Sequence, residues 1–466
     1  MIHLSGTYTD LYQLSMAQVY FHKQKNTTAV FDYYFRHNPF GGGYTIFAGL
    51  SSFISDLAEF RFSKEDLEYL KSHSFDSEFL KYLEGFRFQG NIYASLEGDL
   101  IFPTRPILQV EANIIEAQII ETWLLNTLNF QSLIATKASR IRQVAGDKTL
   151  LDMGLRRAHG FGGYHASRAA IIGGFDGTSN VKAGMDFDIP TSGTMAHSFI
   201  QSYDSEIQAF RDFAETRPDN CVLLVDTYNT LSSGVPNAIT VGKEMENRGK
   251  RLHAIRLDSG DLAYLAKQAR KQLDDAGLNY VKIMASNQLD EYVIKSLGEQ
   301  KAPIDIFGVG TNLVVGKPDA ALDGVYKLTE YEGKPRMKIS ENLIKISIPF
   351  RKQVYRILDS KNAYFGLDVI ATLPEKQIDH VFHPFEHIKS IDVSNFKREP
   401  LLQEVMRHGE VTMPMRSISE ISAYRKARVE LLPPEYKRFD NPHIYKVGLS
   451  RLLKEERDSL ILKLKK

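Results

Sequence analysis

The chain has 466 residues, 43% hydrophobic and 25% charged, with 58 Lys and Arg against 57 Asp and Glu. That length predicts two or three units rather than one core, and the balanced charge excludes the electrostatic footprint of a nucleic-acid binder. A single cysteine, Cys221 ahead of the apolar run Val222–Val225, excludes an intrachain disulfide framework and reads as core in a reducing, cytoplasmic setting. No basic-then-apolar leader opens the chain and no run reaches the about 18 apolar residues of a membrane helix, so no membrane partner is expected.

Three regions stand in chain order: 1–135, 136–324 and 325–466. In the first, the 3.6-residue apolar period predicts helices over Leu11 to Phe21 and Ile114 to Leu128. Alternating runs predict strands at Ala29 to Phe35 and Ile92 to Ala94, and Gly41-Gly42-Gly43 predicts a turn. In the middle region, four apolar runs (Cys221–Val225, Leu252–Ile255, Tyr280–Met284 and Ile304–Phe307) alternate with helical patterns such as Leu262 to Leu273 and Leu289 to Leu297. That alternation predicts parallel βα units, arranged as a barrel or a doubly wound sheet. The last region opens on an expected hairpin, Val325–Leu328 and Arg336–Ser340 about a turn at Glu332–Lys334. It ends in a solvated helix from about Leu449.

Each middle strand runs into a polar loop. Val225 leads into Asp226-Thr227-Tyr228-Asn229, Ile255 into Arg256-Leu257-Asp258-Ser259-Gly260-Asp261, and Met284 into Ala285-Ser286-Asn287. Phe307 leads into Gly308-Val309-Gly310-Thr311, and a strand expected at Phe187–Ile189 leads into Thr194-Met195-Ala196-His197. The carboxyl ends of parallel strands are where such folds build active sites. Gly308, Gly310 and Thr311 offer bare N–H groups and a hydroxyl as a phosphate cradle. Arg256 suits a phosphate, and Asp258 and Asp261 suit ribose hydroxyls or the water shell of Mg²⁺, with no direct metal ligand expected. Asp152-Met153-Gly154-Leu155-Arg156-Arg157 adds cations at another strand end. His197 is open to several readings: proton shuttle, metal ligand, phosphoryl carrier, or a hydrogen-bonded structural histidine. No G-x-x-x-x-G-K-[ST], H-E-x-x-H or G-x-S-x-G occurs, so a P-loop, zinc hydrolysis and a serine elbow have no support.

Five motifs stand in order: Thr9-Asp10-Leu11-Tyr12-Gln13, Phe35-Arg36-x-x-Pro39-Phe40-Gly41-Gly42, Gly193-Thr194-Met195-Ala196-His197-Ser198, Arg256-Leu257-Asp258-Ser259-Gly260-Asp261 and Val325-Tyr326-Lys327-Leu328. Together with Asn441-Pro442-His443 they resemble the nicotinate phosphoribosyltransferase family along nearly the whole chain. The resemblance implies an irregular α/β barrel of the type II phosphoribosyltransferase kind. Beside it would stand a second α+β domain, built from N- and C-terminal segments, in a homodimer with shared sites. It implies nicotinate, PRPP and ATP as substrates, Mg²⁺ as cofactor, and nicotinate mononucleotide and diphosphate as products at the entry to NAD salvage. It further implies that His197 is phosphorylated from ATP, that Asp226 and Asp258 orient the ring and grip the ribose, and that Arg256 and Arg156 contact phosphate and pyridine. Gly308, Gly310 and Thr311 would take the 5′-phosphate, Thr194 and Ser259 would line the substrate, and Tyr12, by itself a core-like residue, would stack on the pyridine from the other subunit. One departure is Arg105, in Phe102-Pro103-Thr104-Arg105-Pro106, a position where the resemblance implies a less basic residue. A nicotinamide-using relative carries an aspartate where Ser179 stands in Gly177-Thr178-Ser179, so the neutral residue favours the carboxylate substrate. Intact His197, Arg256 and Asp258 argue against a silent metabolite-binding relative.

Overall fold

A computed structural model of the protein describes residues 5–341, 346–373, 375, 377–386 and 388–465. The chain divides into two compact units, Lys137–Ala320 and a second assembled from Met1–Thr136 and Ala321–Lys466. None of its described helices is long and apolar enough to cross a membrane.

The unit Lys137–Ala320 is built on six parallel strands. Their hydrogen-bonded order is Gly177–Thr178, Thr149–Asp152, Ile306–Val309, Lys282–Ala285, Ala254–Leu257 and Val222–Leu224. Leu151, Val222, Ala254, Met284 and Ile306 pack together as its apolar centre. Among the intervening helices, Leu262–Asp275 and Glu291–Glu299 each bury one face. Leu262–Asp275 turns Ala263, Ala266, Ala269 and Leu273 inward, and the Asp261 carboxylate caps its start by accepting the Tyr264 N–H at 3.0 Å. Cys221 is buried and reduced, and burial pushes its thiol up to about 12.

Several sequence expectations shift here. The strands expected at Leu252–Ile255 and Ile304–Phe307 lie two residues later, at Ala254–Leu257 and Ile306–Val309. Apolar runs mark burial, whereas the ladder pairs main chain and so continues through Arg256 and Gly308. Phe187–Ile189 is not a strand. The Asn180 side chain accepts the Ala183 N–H at 3.2 Å and caps a helix, Val181–Phe187, that ends on Asp188 at φ 52°. A single parallel bridge among the described residues, Thr178 to Thr191, joins the next segment to the sheet. The periodic stretch from Ile114 is broken at Ile120 into helices Ile114–Ile119 and Glu121–Ala145.

In the other unit, N- and C-terminal segments share one seven-stranded antiparallel sheet. Its order is Lys334–Pro335, Gly324–Tyr331, Thr28–Phe35, Leu108–Asn113, Asn91–Ala94, Gln403–Arg407 and Glu410–Val411. The expected hairpin exists with unequal arms. The first strand runs to Tyr331 and the second is only Lys334–Pro335, so 336–340 is not a strand. Glu332 and Gly333, both at positive φ, make the turn. The tail helix is Arg451–Leu464.

Arg105 finds its explanation in this unit. It is fully buried, with Nε 2.9 Å from the Asp368 carboxylate and further N–H groups donating to Leu100 O and Pro106 O. Arg356 joins Asp368 at 3.1 Å and Asp99 at 3.0 Å, Arg428 reaches Asp99 at 2.8 Å, and the Tyr445 hydroxyl donates to Asp368 at 2.8 Å. The arginine answers an interior charge network, not a substrate.

His165, on the helix Gly162–Gly173, carries a pH dependence. Burial, then the Arg168 charge, holds its pKa down to about 4 from 6.5. A depressed histidine stabilises the fold above the unfolded pKa and loses that contribution as pH falls from 6.5 towards 4. The contribution is at most about 3–4 kcal/mol. Urea titrations across that window are expected to show the loss in wild type and a flatter profile in His165→Gln.

Candidate active site

The loops after Val222–Leu224 and Ala254–Leu257 converge on His197. It is the first residue of a short helix, His197–Gln201, and its side chain remains 38% exposed. Its Nδ1 lies 3.0 Å from the Thr227 hydroxyl. Its Nε2 faces two carboxylates, Asp226 Oδ1 at 3.9 Å and Asp258 Oδ2 at 3.8 Å. Those distances exceed a hydrogen bond, so the pull on Nε2 is electrostatic.

The two acids differ in environment. The Asp226 side chain is 1% exposed, and its Oδ2 accepts the Asp258 N–H and the Ser259 hydroxyl, both at 2.7 Å. Its Oδ1 is buried without a hydrogen-bond partner, aimed at the imidazole. Asp258 is the more open acid. Its Oδ1 accepts from Arg256 at 2.9 Å and from the Ser286 hydroxyl. Arg256 is in turn fixed by Ser286 at 2.8 Å and by the Thr194 hydroxyl at 3.1 Å. The structure thus brings His197, Asp226, Asp258, Ser259, Arg256 and Thr194 into one hydrogen-bonded and ion-paired cluster.

Other expected residues stand outside that cluster. Arg156 is exposed in the one-turn helix Leu155–Arg157 after Thr149–Asp152. Ser179 is half-buried, its N–H donating to Asp152 O at 2.8 Å. Gly308 lies inside its strand, where an added Cβ would sit 2.7 Å from Met153 Sδ and 2.9 Å from Met284 Cε. Glycine there leaves room for the ends of the two methionine side chains. Beyond it Gly310 leads into the short helix Thr311–Val314, of which Thr311 is the first residue. Tyr12, core-like by composition, is instead 52% exposed on the helix Leu11–His22.

Thr227 and Ser286 are site residues that the sequence names only as members of polar loops. Their hydrogen bonds to His197 and Arg256 are what single them out.

Comparison with known proteins decides the family. Models of the nicotinate phosphoribosyltransferase N-terminal domain, family and C-terminal domain match residues 7–129, 149–362 and 351–457. A nicotinate phosphoribosyltransferase of Bacillus subtilis is 46% identical over 457 residues, spanning 95% of this chain and 92% of that protein. The chain belongs to the nicotinate phosphoribosyltransferase family. The family enzyme of Dictyostelium discoideum is 38% identical over 96% of this chain and 86% of its own length. The crystal structure of the human nicotinic acid phosphoribosyltransferase superposes with a TM-score of 0.87 at 31% identity, covering 97% of this chain and 99% of that one. That of a nicotinate-nucleotide pyrophosphorylase from Pyrococcus furiosus gives 0.71 at 27% identity, covering 91% and 95%. The mixed α/β architecture with its parallel sheet is that of the family's solved structures.

Proposed function

We propose that the protein joins the ring nitrogen of nicotinate to C1′ of PRPP, releasing diphosphate and giving nicotinate mononucleotide, with ATP hydrolysed in the same cycle. The observation that carries this reading is His197, held between a hydroxyl at Nδ1 and two carboxylates at Nε2 on a rim of polar loops.

The carboxylates favour the proton on Nε2, which leaves the Nδ1 lone pair as the nucleophile. In our reading Nδ1 attacks the γ-phosphorus of ATP, the Thr227 hydroxyl moves aside, and ADP leaves with the electrons of the broken P–O bond. The Nε2–H faces Asp226 and Asp258, which offset the charge the ring then carries. Water later cleaves the N–P bond. In the transfer itself, the pyridine nitrogen forms its bond to C1′ as the C1′–O bond to diphosphate breaks. No proton has to be removed, so the chain's work is positioning and electrostatic support of the departing anion, with Arg256 as the cation at hand.

Among the described residues no three His, Cys, Asp or Glu side chains gather as a metal-binding group. Asp258 already gives Oδ1 to Arg256 and Ser286, and Asp261 caps a helix. These acids fit Mg²⁺ carried on the diphosphate, through its water shell, and the ion would neutralise leaving-group charge there. Closure of the parallel sheet into an irregular barrel belongs to the same reading and is supported by strands joined in one continuous parallel order. So does a homodimer: Leu11, Tyr12 and Val19 leave one helix 59%, 52% and 57% exposed, the state expected of a face covered by a second copy. From it Tyr12 would reach the partner's site. A reducing, cytoplasmic compartment fits the reduced Cys221.

The test is diphosphate release dependent on PRPP and nicotinate, with and without ATP. Wild type is expected to be stimulated by ATP and His197→Ala to lose the stimulation. Equal stimulation of both would remove His197 from the coupling. Substrate choice is tested at Ser179. A carboxylate there would repel nicotinate and welcome an amide, so Ser179→Asp is expected to lower kcat/KM for nicotinate by about 10-fold or more, with nicotinamide gaining. An unchanged ratio of the two pyridines would show that Ser179 does not select.

A further inference from the structure

Behind the loop that carries Ser179 lies a buried polar knot with no part in the phosphoryl or ribosyl transfer. Asp152, the last residue of its strand, is 0% exposed, as are Ser167 and Thr178, and Asn180 is 3% exposed. One Asp152 oxygen accepts the Gly154 N–H at 2.9 Å, and the other accepts the Ser167 and Thr178 hydroxyls, each at 2.7 Å. Thr178 accepts the Asn180 N–H at 3.1 Å, and the Asn180 amide donates to Ser167 at 3.3 Å. The main-chain carbonyl of Asp152 takes the Ser179 N–H. Among the described residues no cation pairs with the carboxylate. It is held by neutral donors alone, and burial raises its pKa.

A carboxylate buried without a counter-ion is costly, and packing alone would be served by an apolar residue. What it holds explains its presence. On one side it fixes Gly154, two residues before Arg156, and on the other Thr178, next to Ser179. One interior side chain therefore ties together the two segments that the nicotinate reading assigns to the pyridine ring.

We propose that Asp152 is the positioning residue of the pyridine subsite, acting through Thr178–Ser179 and Gly154–Arg156; this rests on the nicotinate reading of the site. Asp152→Asn keeps the volume but has one accepting oxygen where the carboxylate has two, so either the Gly154 N–H meets the amide N–H₂ or the Ser167 and Thr178 hydroxyls, each already accepting from Asn180, must turn to accept from it. The hold on one segment weakens.

The experiment uses the full-length protein as wild type, Asp152→Asn and Ser167→Ala. It measures KM and kcat for nicotinate, KM for PRPP, the nicotinate-to-nicotinamide ratio, and phosphoryl transfer from ATP to the protein. Asp152→Asn is expected to raise the nicotinate KM at least 10-fold and to shift the pyridine ratio. Its PRPP KM and phosphoryl transfer are expected to stay within threefold of wild type. Loss of a merely structural aspartate would impair every parameter together, and that outcome overturns the proposal, as does a folded Asp152→Asn with wild-type nicotinate KM. Should Asp152→Asn fail to fold, Ser167→Ala, which removes one donor, decides by the same split, with at least a threefold rise in nicotinate KM expected. A wild type that phosphorylates itself but does not turn over nicotinate would sink the parent reading and this proposal together. A wild type active on nicotinate beside an unmoved variant sinks this proposal alone.

Discussion

Asp226→Asn is expected to lower ATP-stimulated kcat/KM by about 100-fold or more while leaving the fold intact, a size set by the loss seen when the acid orienting a catalytic histidine becomes an amide. The reason is local. Asp226 Oδ2 must accept from Asp258 and Ser259, so the replacement amide keeps its oxygen there and turns its N–H₂ towards His197. An amide N–H₂ opposite Nε2 favours a lone pair on that nitrogen and moves the ring proton to Nδ1, away from the tautomer that attacks phosphorus. Asp258 at 3.8 Å still pulls on Nε2, which keeps the effect below complete loss. Stopped-flow or quench measurement of phosphoryl transfer checks this. An Asp226→Asn protein phosphorylated at the wild-type rate would mean that Asp258 alone orients the ring.

The second large effect is on stability. Asp368→Ala should cost about 3–5 kcal/mol, because Arg105 and Arg356 would remain buried with their shared carboxylate gone. Asp99 still pairs with Arg356, whereas Arg105 keeps hydrogen bonds to Ser95 and two carbonyl oxygens and the more distant charge of Asp99. Urea unfolding followed by fluorescence reads the change, and a midpoint equal to wild type would show that water enters and solvates the arginines.

The βα alternation of the middle region is legible because each buried run is punctuated by a polar loop, and the family motifs lie in those loops. Strand ends are not legible. Arg256 and Gly308 look like loop residues by chemistry, yet the main-chain ladder runs through both. The helix Val181–Phe187 is hidden because its start depends on one Asn180 side-chain bond and its end on a left-handed Asp188, neither of which has a periodic signature. Arg105 is unreadable because its three acidic and arginine neighbours, Asp99, Arg356 and Asp368, come from as far away as the C-terminal third of the chain. His197, Asp226, Asp258 and Arg256 are legible as a set, but Thr227 and Ser286, which hold the first and last of them, are common loop residues and gain meaning only from distance.

The central claim is that His197 carries a phosphoryl group, and labelling with γ-³²P-ATP tests it directly. Wild type is expected to take up close to one acid-labile, alkali-stable phosphate per chain, mapped to His197 and discharged on addition of PRPP and nicotinate. Absence of label in wild type, or the same label in His197→Ala, would contradict the account.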